Sequence, residues 1–147
     1  MTEQEFRVKY CELMEYYQYI EMHLKGLCAD LLANEDISWF EGLNNFREDP
    51  FGPLVKKLRE IQAEKNVMAL SSDEFAALDE VRKKRNYWTH ECFGGLNPIV
   101  FRNGVVRNNV NADKIIYDHQ EAVEWDEKLV EAGRKYRASK KENYKIS

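Results

Sequence analysis

Apolar residues at Phe6, Tyr10, Leu13, Tyr17, Ile20, Leu24, Leu27 and Leu31 follow one another at spacings that alternate between four and three, with Glu and Lys filling the opposite side. That spacing winds a single apolar seam along a helix. A helix of about 30 residues would be roughly 45 Å long, and such length without a break points to a helical bundle or a coiled coil. The pattern lapses from Asn34 to Pro53, where Gly42, Asn44, Asn45, Asp49-Pro50 and Gly52 act as breakers. Trp39, Phe40, Phe46 and Phe51 within that stretch predict a connection that packs down in part, with a short helix of its own. Leu54, Leu58 and Ile61 then mark the buried side of a second main helix.

A third helix opens at Ser71-Ser72-Asp73-Glu74, where Ser71 and Glu74 have capping-box spacing. It runs to about Phe93 and stops before Gly94-Gly95, with Pro98 beyond. Ile99-Val100-Phe101 and Val105-Val106 flank Arg102-Asn103-Gly104, and Asn-Gly is a favoured tight-turn pair, so a small β-hairpin is predicted here. The last helix is expected to begin near Asp118, with Glu121 again at capping-box spacing and a stripe of Ala122, Trp125, Leu129, Ala132 and Tyr136. The expected class is all-α, an antiparallel bundle of four main helices with a small hairpin between the last two.

Composition narrows this picture. A chain of 147 residues, 44% hydrophobic and 33% charged, suits one soluble domain spanning 1–147 with one core. Roughly the last ten residues read as a flexible basic tail. The apolar runs are too short to cross a bilayer and Met1-Thr-Glu-Gln-Glu-Phe lacks the features of a signal peptide, so the expected location is the cytoplasm, with no membrane partner. Cys11, Cys28 and Cys92 are scattered and odd in number, which argues against a disulfide framework; no CxxC pair suggests a metal, and neither metal nor cofactor is expected. The net charge of −4 does not suit a constitutive nucleic-acid coat. Basic residues nevertheless cluster at Arg82-Lys83-Lys84-Arg85 and from Arg134 to Lys145, and Arg82, Lys83 and Lys84 are the candidate RNA contacts.

Candidate chemistry lies on the third helix. Its inward stripe reads Leu78, Val81, Arg85, Trp88 and Cys92. A guanidinium in that seam cannot shed its charge, and leaving it buried and unpaired would cost several kcal/mol. Arg85 must meet a carboxylate, a solvated groove or an anionic ligand. Asn86 and His90 are i, i+4 neighbours on the adjoining face, so Asn86 can hydrogen-bond the imidazole. Arg85 and His90 stand about 140° apart on a regular helix, able to line two sides of a groove. Histidine can take or give a proton near neutral pH, and arginine offers a planar fork to phosphate oxygens and to transition-state charge. That pairing suits metal-independent cleavage of RNA through its 2′-hydroxyl. On spacing alone, a structural salt bridge and a satisfied histidine account for the same residues. His23 and His119 read as structural, and Tyr87 and Trp88 as packing aromatics.

Arg85-Asn86-Tyr87-Trp88-Thr89-His90 resembles the Arg-x4–6-His motif of HEPN domains, down to the polar residue directly after the arginine. The specific likeness covers Leu78 to Phe93; the remainder resembles the family in architecture and in its long first helix. The resemblance implies a ribonuclease in which two motifs meet across a homodimer interface. Arg85 would stabilise the scissile phosphate, His90 would act in proton transfer, and Asn86 would orient His90 or contact the phosphate. It also implies toxin or defence roles on RNA, with a cognate antitoxin or regulator as partner. Some HEPN toxins continue the motif as His-x-Tyr, the tyrosine being modified by a partner nucleotidyltransferase; Cys92 stands there in this chain, so regulation of that kind is not expected. The competing expectations are a noncatalytic HEPN module that binds a nucleotide, RNA or partner protein, and a purely structural helical dimer in which Arg85→Leu would be neutral or stabilising.

Overall fold

The computed structural model describes residues 1–107 and 109–146. The described chain is mostly helical. α1 spans Glu3–Leu32, α2 Trp39–Asn45, α3 Phe51–Lys65 and α4 Ser72–Asn86; α4 continues into a π turn, Tyr87–Glu91. The strands β1 (Phe101–Arg102) and β2 (Val105–Val106) precede α5, Asn109–Ile146. Among the described residues, no helix is long and apolar enough to cross a membrane.

Local chemistry accounts for the helix ends. Thr2 Oγ1 accepts the Glu5 backbone N–H while the Glu5 carboxylate accepts that of Thr2, and Ser71 and Glu74 do the same at α4. α3 starts at Phe51, so Pro53 falls in its first turn, where a missing N–H breaks no intrahelical bond. It ends at Asn66 in the left-handed region, after which the Gln62 side chain bonds Ala69 and Leu70 and fixes the entry to α4. The hairpin forms where Asn103-Gly104 predicts it. Both turn residues have positive φ, 53° and 72°, as a two-residue type I′ loop requires. Its second strand also bridges to Thr2, tying the hairpin to the start of α1.

The first-helix seam is buried as its spacing implies: Phe6, Leu13, Ile20 and Leu24 are fully enclosed, each burial contributing about 1.5–3 kcal/mol. They meet Leu54 and Leu58 of α3, Leu78 and Val81 of α4, and Ile115, Ala122 and Leu129 of α5 in one core.

The helix directions depart from expectation. α4 and its π turn run antiparallel to α1, since Arg85 lies against Glu21, Thr89 against Met14 and Phe93 against Phe6. α3 runs antiparallel to α4, with Gly52 beside Arg82 and Arg59 over the ring of Phe75. α1 and α5, however, are parallel. His119 meets Glu12 at 2.9 Å, His23 meets Asp126 at 2.9 Å and Arg137 meets Asp30 at 2.8 Å, all with nearly the same sequence offset. Thus α1, α3 and α5 point one way and α4 the other, in place of the alternation expected of an antiparallel bundle. The cause is the connection after α1, which doubles back along it. α2 packs so closely that a Cβ on Gly42 would lie 3.3 Å from the Ala29 backbone, and Lys25 Nζ bonds the Arg47 carbonyl at 2.8 Å. α3 therefore starts beside the C-terminal part of α1 and not beyond its end.

The last helix begins at Asn109, not near Asp118. Asp118 is no cap: it is 2% exposed and faces the core, and Ala112 and Ile115 extend the buried stripe ahead of it. Asn109, Asn111 and Asp113, residues common in loops, hide that extension in the sequence. At its other end, α5 carries the basic segment expected as a tail as helical backbone to Ile146; Ser147 lies outside the described residues.

Candidate functional site: the Arg85–His90 turn

The segment that carries Arg85 and His90 is not a regular α-helix. The Cys92 N–H bonds the Tyr87 carbonyl, five residues back, at 3.0 Å. Such π turns are rare and recur at functional sites. Each residue in a π turn rotates the chain by less than its α-helical step, so Arg85 and His90 stand closer to one face than the about 140° of a regular helix.

The π turn frees the Trp88 carbonyl from its usual partner, the Cys92 N–H. Two side chains satisfy it instead: the Tyr10 hydroxyl donates at 3.0 Å and the Cys92 thiol at 3.1 Å. The Trp88 side chain is fully buried, and its indole N–H donates to Asp118 Oδ2 at 2.7 Å. Tyr87 donates to Asn111 at 3.4 Å and lies under the Lys114 ammonium, 3.5 Å from the ring centre. Tyr87 and Trp88 are packing aromatics, as expected, and they pin the turn to α5.

Arg85 is half-buried between the buried residues Val81 and Trp88. It resolves its seam position through a carboxylate, with Nη2 3.9 Å from Glu21 Oε1 of α1. That separation is long for an ion pair, and both side chains keep solvent access. Asn86 turns toward Arg85, accepting from its Nη1 at 3.3 Å. Among the described residues no side-chain hydrogen bond joins Asn86 to His90; the Asn86 side chain instead bonds Arg85. His90 is exposed, and among the described residues its side chain has no hydrogen bond or ion pair. The turn thus presents a guanidinium held loosely by one carboxylate and an imidazole open to solvent.

The three neighbouring cations are neutralised within the chain. Arg82 bonds Asp79 at 2.9 Å and holds that carboxyl below the usual carboxylate range. Lys83 bonds Glu80 at 2.9 Å, which raises its own pKa. Lys84 reaches Glu121 at 2.9 Å and Asp118 at 3.6 Å. Burial works against its charge, but the Glu121 bond and the two carboxylates outweigh it, so its pKa is raised. The basic run is therefore a set of ion pairs, not an open cationic strip. His23 and His119 pair with Asp126 and Glu12 between α1 and α5, away from the turn, as structural histidines.

Glu21 escaped the sequence reading because, among the acids of α1, only its position opposite Arg85 distinguishes it. The π turn was equally hidden, since no residue type encodes it. No family model, no curated protein and no solved structure matches this chain.

Proposed function

We propose that this protein is a metal-independent endoribonuclease whose active site is built on the Arg85–His90 turn and completed by a second copy of the chain. The observation that carries this reading is the exposed His90, whose imidazole has no partner among the described residues, on one turn with a solvent-accessible Arg85. His23 and His119 differ from His90: each is only partly exposed and lies 2.9 Å from a carboxylate, that of Asp126 and that of Glu12.

In this scheme His90 removes the proton from a ribose 2′-hydroxyl, whose oxygen attacks the adjacent phosphorus. The P–O5′ bond breaks, giving a 2′,3′-cyclic phosphate and a free 5′-hydroxyl, and the leaving oxygen takes a proton from His90 of the second copy. Arg85 leaves its long contact with Glu21 to bind the phosphate oxygens, with Asn86 holding the guanidinium in place. α1, α3, α4 and α5 act as the four-helix bundle that supports the site. Phe93 and Leu96, exposed just beyond His90, offer apolar surface to the second copy. A toxin or defence role in the cytoplasm, with a cognate antitoxin or regulator, accompanies this reading.

The test is cleavage of total cellular RNA with EDTA present, wild type beside His90→Ala. Cutting by the wild type alone, with cyclic-phosphate ends, supports the proposal. Equal cutting by both removes His90 from it. A noncatalytic HEPN module that binds RNA, a nucleotide or a protein is the second reading, and the internal pairing of Arg82, Lys83 and Lys84 favours it over a constitutively RNA-coated enzyme. Binding without any cleavage would select it.

A further inference from the structure

Glu21 has two sides. One faces Arg85; the other borders a cavity of about 460 Å³ between α1 and α2. That volume is in the range of small-ligand sites, which combine an apolar floor with a few placed polar groups. Here Met22, Phe40 and Leu43 supply the apolar lining, and Gln18 and Asn44 the side-chain amides. Phe40 is 76% exposed, a large ring kept at a cavity mouth with its neighbour Trp39 edge-on at 5.3 Å.

The charges around this cavity differ from those of the basic run. Lys25 and Arg47 line it, and among the described residues neither has a carboxylate partner; Lys25 bonds only a backbone carbonyl. The one acid in the lining, Glu21, is already opposed by Arg85. The site therefore joins an exposed aromatic face, two side-chain amides able to read donor and acceptor edges, and a cationic border that continues to Arg85.

We infer that this cavity is a nucleobase subsite, taking one unpaired base of an RNA strand whose adjoining phosphate lies toward Arg85. The base stacks on Phe40, its edge meets Asn44 or Gln18, and Lys25 and Arg47 bind backbone phosphates. Unstacked bases are recognised in this way, by aromatic stacking and by hydrogen bonds along their edges. The inference rests on the nuclease reading for the identity of the strand. It also adds Lys25 and Arg47 of the α1–α2 groove to the RNA contacts expected at Arg82, Lys83 and Lys84.

The test uses the full-length chain and a fluorescein-labelled hexanucleotide with 2′-O-methyl riboses, which cannot be cleaved. Phe40→Ala and Arg47→Ala should each weaken binding at least about fivefold, the lower end of the loss for one base–aromatic stack, while Phe40→Trp retains it. Both altered side chains are exposed, so folding is not at stake. Absent binding by the wild type, or equal binding by all variants, overturns the subsite. Altered sedimentation of Phe40→Ala alone, with oligonucleotide binding unchanged, would make the groove a protein interface instead. A nucleoside monophosphate binding as tightly as the hexanucleotide would overturn the RNA assignment in favour of a free nucleotide. Cleavage is assayed in parallel on unmodified RNA. Groove-dependent binding without cleavage defeats the nuclease reading and leaves the subsite; His90-dependent cleavage with unchanged binding does the reverse.

Discussion

The indole of Trp88 and the carboxylate of Asp118 are joined by a 2.7 Å hydrogen bond, with both residues buried, and this bond fastens the π turn of the Arg85–His90 segment to α5. Lys84 supplies the nearest cation to the same carboxylate, at 3.6 Å. Replacing Asp118 by Ala orphans a buried indole N–H and strips Lys84 of one partner, and should cost about 2–4 kcal/mol in urea-induced unfolding. Asp118→Asn keeps an acceptor oxygen and should cost clearly less. Equal losses in the two variants would mean that the hydrogen bond is not what matters there.

Tyr17 is 4% exposed, and among the described residues its buried hydroxyl has no hydrogen-bond partner. Burial first, and the charges of Asp118 and Glu121 second, push the phenol far above its ordinary value. Below about pH 10 both the folded and unfolded states hold this proton, so the group confers no pH dependence. Above it the unfolded chain ionises while the folded protein cannot, and stability falls as pH rises. Tyr17→Phe should therefore be neutral or about 1 kcal/mol stabilising at pH 7. Its advantage should widen in denaturation measured between about pH 10 and 11.

Arg85 and His90 should separate activity from stability. His90 is exposed and its side chain has no partner among the described residues, so His90→Ala should change unfolding free energy by no more than about 0.5 kcal/mol. Arg85→Ala loses a long, half-exposed contact worth at most about 1 kcal/mol. Both should abolish metal-independent RNA cleavage. Thermal denaturation beside the cleavage assay checks this; loss of cleavage accompanied by unfolding would void the catalytic assignment.

The three thiols should react very differently. Cys11 is exposed, whereas burial pushes Cys28 up to about 12, even with Lys57 nearby, and raises Cys92 as well. The thiolate is the reactive form. Mass spectrometry after brief iodoacetamide treatment of the native protein should show a single label, on Cys11, and three labels in denaturant.

Gly104 holds a φ of 72° in the hairpin turn, which an L side chain tolerates poorly, although nothing lies within 4 Å of a Cβ built there. Gly104→Ala should cost about 1 kcal/mol through backbone strain alone. Denaturation midpoints for this variant check the turn type.

Much of the molecule was legible along the chain because it depends on local rules. The alternating four-and-three seam of α1, the Ser71–Glu74 cap and the Asn103-Gly104 turn each report interactions between residues a few positions apart. The start of α5 was misplaced for the same reason. Asp118 has the local look of a cap, and only its burial against Trp88 reveals it as part of the core.

By itself, then, the sequence determined a helical chain, a hairpin before the last helix, and the placing of Arg85, Asn86 and His90 on one late helical segment. Tertiary structure alone decided the rest. It set the parallel run of α1 with α5, the π turn, the pairing of Arg85 with Glu21, the neutralising of Arg82, Lys83 and Lys84, and the groove beneath Phe40. The division is physical. Periodicity and capping are written in spacings of two to four residues, whereas an ion pair or a cavity depends on which distant segment arrives opposite, and that is settled only when the whole core packs.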